Sequence, residues 1–173
     1  MRADYVNDDD LNIILRLLTP PNRLISLICL ETGLRVGDVV KMRSDGFRQR
    51  MTITEQKTKK KKRVYINKTL YDECKAQAGK IYVFEHRTDC TKHRTRQAVY
   101  ADIKRAAKAL RLKDNITVHS LRKYYAVEIL HRFDLATVRQ ALNHDNELVT
   151  MLYAYADILH QTTTYSVKHR AHK

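Results

Sequence analysis

Apolar residues recur at helical spacing at Leu11, Ile14, Leu15 and Leu18. The pattern predicts an amphipathic helix capped by Asn7 or by an aspartate among Asp8, Asp9 and Asp10, with the polar residues before the cap poorly ordered. Thr19-Pro20-Pro21-Asn22 ends that helix, because Pro20 disfavours helix at the residue before it and Pro21 suits the first turn of the next. Arg23 to Thr32 is almost entirely apolar, which predicts the buried centre of the fold, and Gly33 fits its C-terminal cap. Leu34 to Met42 reads as a further helix, with Arg35 in its first turn and Asp38 three residues on. From Phe47 to Ile66 the period changes to two: Met51, Ile53, Val64 and Ile66 alternate with polar residues, predicting two half-buried strands joined by a tight basic turn. Leu70 to Ala78 is a short helix closed by Gly79, and Ile81 to Phe84 an apolar run suited to a third strand. Ala98 to Leu110 is amphipathic, with Val99, Ile103, Ala106, Ala107 and Leu110 inward.

The last third is helical again. Read as helix from Ser120, His119 and Arg122 project from one side of the first turn and Leu121, Tyr125 and Ile129 form an apolar stripe opposite. A short run from Leu135 to Leu142 stops at Asn143, a residue that tolerates the left-handed cap conformation, so His144 falls in a turn and Tyr153 on the following helix. The expected fold is α+β and mostly helical, with a small antiparallel sheet of about three strands on a helical bundle.

Composition narrows the function. The 173 residues include only four Gly and two Pro, and one domain over 1–173 is the expectation. Lys plus Arg number 33 against 19 Asp plus Glu, a net charge of +14 that marks a binder of polyanions, nucleic acid first among them. An anionic membrane surface or a merely soluble basic protein are the competing readings of charge alone. Three cysteines without a CxxC pair suit a reducing cytosol. No apolar run is long enough to span a membrane, and MRADYVNDDD lacks a signal-peptide core, so a cytoplasmic protein is expected. His86, Cys90 and His93 have metal-like spacing without a fourth ligand nearby; with Arg87, Lys92, Arg94 and Arg96 they read better as a DNA-facing loop than as a zinc site.

Taken singly, the candidate chemical residues have ordinary explanations. Arg35 and Asp38 could be an i,i+3 surface pair, the lysines at 59–62 a solvated hairpin tip, His119 a helix-start residue, and Tyr153 a core aromatic. Together, HSLR at 119–122, LNH at 142–144, Tyr153, TGLRVGDVV at 32–40 and EQKTKKKKRVYI at 55–66 stand in an order that resembles the tyrosine recombinases, the phage-integrase family. The resemblance covers nearly the whole chain.

That resemblance implies a set of roles. Tyr153 would attack the scissile phosphorus and form a 3′-phosphotyrosyl link, with Tyr155 and then Tyr165 as rival nucleophiles. Arg35 and Arg122 would clamp the phosphate, with Asp38 orienting Arg35 from behind. His144 would add a hydrogen bond, His119 would accept the tyrosine proton, and Lys57, or Lys59 as runner-up, would protonate the leaving 5′-oxygen. The implied partner is double-stranded DNA, bound as a homotetramer by a protein that is monomeric when free, and no cofactor or metal is implied. The chain departs from the family at Asn143, where glycine is usual, and at Lys123 and Tyr124. The N-terminal core-binding domain usual in the family is expected to be absent, and the tail 156–173 is expected either to dock on a neighbouring protomer or to fray. A relaxing type IB topoisomerase shares the chemistry, and a catalytically idle DNA-binding module shares the fold; both stay open here.

Overall fold

The computed structural model describes residues 3–132, and their element order is α1 (Asp8–Leu17), α2 (Pro20–Thr32), α3 (Val36–Val39), β1 (Arg50–Thr54), β2 (Lys61–Tyr65), α4 (Lys68–Ala76), α5 (Arg96–Ala109) and α6 (Val118–Arg132). The chain divides into two units, Met1–Tyr125 and Ala126–Lys173. Of the second unit, the described part is the end of α6. His144, Tyr153, Tyr155, Tyr165, the cap at Asn143 and the tail lie outside the described residues.

α1, α4, α5 and α6 begin where the chain supplies a side-chain cap, whereas α2 opens on Pro20 and Pro21. The Asn7 side chain accepts the Asp10 N–H at 2.8 Å, and Asp8, Asp9 and Asp10 place negative charge against the positive end of α1. Asn67 caps α4 by accepting the Leu70 N–H, and Thr95 caps α5 by accepting that of Ala98. At α6 the Thr117 hydroxyl accepts the His119 N–H at 3.2 Å while the Ser120 hydroxyl accepts the Thr117 N–H at 3.1 Å, a reciprocal capping box. This cap starts the helix at Val118, two residues before the spacing of apolar residues suggested.

α2 is the centre of the core: Ile25, Ile28 and Cys29 are buried, and α1, α3, α4 and α5 all pack on it. β1 and β2 pair antiparallel in the register Arg50↔Tyr65 to Thr54↔Lys61, turning Val64 and, just past the strand, Ile66 inward. The expected third strand does not form. Tyr82 makes only an isolated bridge to Arg43, because Val83 and Phe84 are buried and Arg94 turns back on Phe84, its N–H reaching the Phe84 carbonyl at 2.7 Å.

The segment before α1 is also different from expectation. The Asp4 N–H reaches the Asn115 carbonyl at 3.1 Å and the Asn115 N–H reaches the Asp4 carboxylate at 2.7 Å. Tyr5 stacks on Tyr124, Val6 is buried, and the Lys123 ammonium donates to the Ala3 carbonyl. A polar segment is thereby fastened along the start of α6 by backbone pairing that residue hydrophobicity does not reveal.

A single carboxylate fixes α5 to the α1–α2 turn. Asp102 accepts from the Thr19 N–H at 2.9 Å, the Thr19 hydroxyl at 2.8 Å, the Asn22 amide at 2.7 Å and the Arg105 guanidinium at 2.7 Å. Burial alone would raise its carboxyl, but the Asn22 amide, the Thr19 N–H, Arg105 and the Thr19 hydroxyl outweigh burial and hold it at about 2. The unfolded carboxyl ionises near 3.9, so the group stabilises the fold above that pH, by roughly 2 kcal/mol, and the contribution is lost as pH falls through about 2. Urea denaturation across this range should show the loss in the unsubstituted chain, whereas Asp102→Asn should be less stable at neutral pH by a similar amount and show a shallower acid-side decline.

Candidate active site

The site is built where three elements meet: the end of α2, the base of the β1–β2 hairpin and the first turn of α6. α2 ends at Gly33, whose φ of 66° is in the left-handed region and whose N–H closes on the Cys29 carbonyl at 2.9 Å. A side chain here would also collide with the Tyr125 ring, since a Cβ would lie 2.1 Å from it. The turn sends the chain through buried Leu34 to Arg35. Arg35 is not in a helical turn, as the sequence suggested, but is the extended N-cap of the short α3, with φ −74° and ψ 142°.

Arg35 and Arg122 converge on one carboxylate. Glu55, at the end of β1, is 2% exposed; its Oε2 lies 3.2 Å from Arg35 Nη1 and its Oε1 3.8 Å from Arg122 Nη1. Arg122 also donates to the Gly33 carbonyl. Both guanidinium groups are mostly sheltered, at 19% and 11% side-chain exposure, which lowers the local dielectric and strengthens any bond they make to an anion.

Asp38 lies in the field of Arg35 and also ties down the hairpin loop. Its Oδ1 accepts the Gln56 N–H at 3.0 Å, and Lys41 donates to the Gln56 side chain at 2.8 Å, so α3 and the residues just after it hold the start of the hairpin loop at two points. The ion pair to Arg35 comes from Glu55. Burial, reinforced by the Glu55 charge, raises the Asp38 carboxyl against the opposing pull of the Gln56 N–H, Arg35 and Arg122.

The hairpin loop runs from Glu55 to Lys60, closed by Glu55 N–H to the Lys60 carbonyl at 3.0 Å and Lys59 N–H to the Glu55 carbonyl at 2.8 Å. Lys57 is exposed on this loop, and Lys59 occupies its left-handed turn position with φ 58°. A further lysine, Lys62 on β2, lies in the field of Arg122, Glu55 and Arg35. Its Nζ donates to the Thr32 carbonyl at 2.7 Å and lies 5.3 Å from the centre of the Tyr125 ring. Sequence reasoning missed both Glu55 and Lys62, although strand alternation contained the signal. Glu55 continues the inward series Met51, Ile53, and Lys62 begins the inward series Val64, Ile66. A charged residue on the core-facing parity of a strand is a functional flag.

His119 and Arg122 share the first turn of α6 but differ in setting: Arg122 is 9% exposed, whereas His119 is exposed. Of the loop expected to face DNA, Arg87 and Lys92 are exposed, with Lys92 paired to Asp89 at 2.8 Å. Arg94 turns inward instead and donates to Asn22 on α2, making it part of the scaffold. His93 sets its ring edge-on to Tyr82 and approaches the Arg94 carbonyl at 2.7 Å through Nδ1.

Burial, with Arg122 and Arg35 adding repulsion against the attraction of Glu55, depresses the Lys62 ammonium to about 8. An unfolded lysine ionises near 10.4, so between these values the unfolded chain binds the extra proton and stability rises with pH. The buried Cys29 and Cys74 thiols, both pushed up by burial, pull stability the other way above about pH 9, so the Lys62 contribution is read as a difference: from pH 8 to about 10.5 the urea midpoint of the unsubstituted chain should gain on that of Lys62→Met.

Comparison with known proteins places this arrangement. The model of the phage integrase family matches residues 5–160. The probable integrase/recombinase YoeC of Bacillus subtilis is 29% identical over 135 residues, covering 74% of both chains. The tyrosine recombinase XerD of Lacticaseibacillus casei is 26% identical, with 86% of this chain matching 55% of its length. Among solved structures, the lambda integrase catalytic core superposes with a TM-score of 0.70 at 21% identity, covering 83% of this chain and 92% of that one. A lambda integrase dimer bound to a COC′ core site gives a TM-score of 0.74 at 20% identity, covering 87% and 59%. The chain spans about half the length of the XerD relative. Among the described residues no helix is long and apolar enough to cross a membrane. A helical scaffold with a small two-stranded antiparallel sheet, two arginines drawn to one buried carboxylate and a family match along most of the sequence agree, and the chain belongs to the phage integrase family of tyrosine recombinases.

Proposed function

We propose that the chain is the catalytic part of a site-specific DNA recombinase that cuts and rejoins strands through a 3′-phosphotyrosyl intermediate. The observation that carries this reading is the convergence of Arg35 and Arg122, from opposite ends of the described sequence, on Glu55 beside a basic hairpin. Guanidinium groups stay charged at any relevant pH and offer paired N–H donors to two non-bridging phosphate oxygens.

In this scheme the Tyr153 hydroxyl attacks phosphorus as His119 takes its proton, the P–O5′ bond breaks, and Lys57 protonates the departing oxygen. His144 adds a donor to the phosphate. The bond energy is kept in the phosphotyrosine, so a 5′-hydroxyl can attack in the reverse sense, returning the protons and releasing Tyr153. Exposed lysines at 57, 59, 60 and 61 and Arg63 supply the sequence-independent attraction to the DNA backbone. The partner is double-stranded DNA, on which two or four protomers assemble, in keeping with the DNA-bound dimers and tetramer of lambda integrase that share the fold. The work takes place in the cytoplasm.

The test is covalent trapping on nicked suicide duplexes, scored as a protein–DNA adduct on denaturing gels. The unsubstituted chain should form the adduct and Tyr153→Phe should form none. Arg35→Lys and Arg122→Lys, which keep the charge and lose the fork, should each slow trapping by about 100- to 1000-fold. An adduct that persists in Tyr153→Phe, or no adduct with any duplex, refutes the reading; site-independent relaxation of supercoiled plasmid would turn it to a topoisomerase.

A further inference from the structure

Glu55 occupies a place that neither arginine requires for its charge and that the chemistry of cleavage does not by itself demand. An isolated buried carboxylate is unfavourable, so its retention at 2% exposure calls for partners on every side. They are present. One carboxylate oxygen faces Arg122; the other faces Arg35 and also accepts the Thr58 hydroxyl at 2.8 Å. The Glu55 backbone closes the same loop through Lys59 and Lys60. Thr58 is the direct neighbour of Lys57. One side chain therefore touches both arginines and the loop on which the lysine rides.

We infer that Glu55 is a positioning residue for strand cleavage: it sets the spacing of Arg35 and Arg122 and, through Thr58, ties to them the loop that carries Lys57. The inference rests on the proposed recombinase reading and deepens it. Asp38 lies in the field of both arginines, but its Oδ1 accepts the Gln56 N–H, whereas Glu55 is within ion-pair distance of Arg35 and Arg122 at once. Because Glu55 pairs with both arginines, its negative charge opposes DNA binding while its geometry favours cleavage. A positioning role thus separates binding from rate, whereas a purely structural role would move both together.

The experiment compares the full chain with Glu55→Gln and Thr58→Val. Binding is read by fluorescence anisotropy on a labelled random-sequence duplex, and cleavage by single-turnover trapping on a pool of nicked duplexes randomised around the nick. Glu55→Gln should bind at least as tightly as the unsubstituted chain and cleave on the order of 100-fold more slowly. Thr58→Val, which leaves both ion pairs in place, should also bind normally and cleave slowly. Its defect should disappear when the bridging 5′-oxygen is replaced by sulfur, because a thiol, with a pKa near 8.5, leaves without a proton donor. The inference is overturned if Glu55→Gln cleaves at the unsubstituted rate, if its binding and cleavage fall in parallel with the folded fraction measured by urea melts, or if Thr58→Val is unimpaired or is not recovered by sulfur. An adduct from the unsubstituted chain combined with any of these leaves the recombinase reading standing; no adduct from the unsubstituted chain overturns both.

Discussion

The pairing of Glu55 with Arg35 and Arg122 is the constraint on which the arrangement of the site depends. A carboxylate taken out of water loses several kcal/mol of hydration, and two sheltered guanidinium groups side by side repel each other. Each of the three charges is offset in part by the others. The end of β1, the residue that opens α3 and the first turn of α6 must accordingly arrive at one point, and most of the local structure serves that meeting. Asp38 and Lys41 grip Gln56, the residue after Glu55, so the carboxylate cannot swing away with the hairpin. The capping box of Thr117 and Ser120 sets where α6 begins and thus which way Arg122 faces.

The C-terminal end of α2 does the complementary work for the cations. The last carbonyls of a helix have no partner within it and carry the negative end of the helix dipole. Here the Thr32 carbonyl accepts Lys62 and the Gly33 carbonyl accepts Arg122. Gly33 serves three purposes: it adopts the left-handed cap, leaves room for the Tyr125 ring and presents its carbonyl to Arg122. Around the two carboxylates Glu55 and Asp38 stand three cations, Arg35, Arg122 and Lys62. Under the proposed function, this excess of positive charge in a half-sheltered setting would suit a phosphodiester, with the donors already held in place.

Away from the site the same economy recurs. Asp102 binds the α1–α2 turn to α5, and Arg94 adds a second tie by donating to Asn22 on α2. The Asp4–Asn115 pairing and the Tyr5–Tyr124 stack fasten the segment before α1 to the start of α6. These polar ties orient the helices that hydrophobic burial has brought together.

The sequence by itself determined the helices, the hairpin, the basic character and the family, because apolar periodicity, capping residues and the spacing of the motif residues are local properties of the chain. Alternation even marked Glu55 and Lys62, had the inward parity of Met51, Ile53, Val64 and Ile66 been extended by one step onto charged residues. Tertiary structure alone decided that Glu55 pairs with Arg35, that Asp38 holds the hairpin loop, that Lys62 reaches the end of α2, and that Ile81–Phe84 bridges without forming a strand. Partners of buried charges are chosen by which elements meet in space, and the energy that selects them exists only once water has been excluded from all of them together.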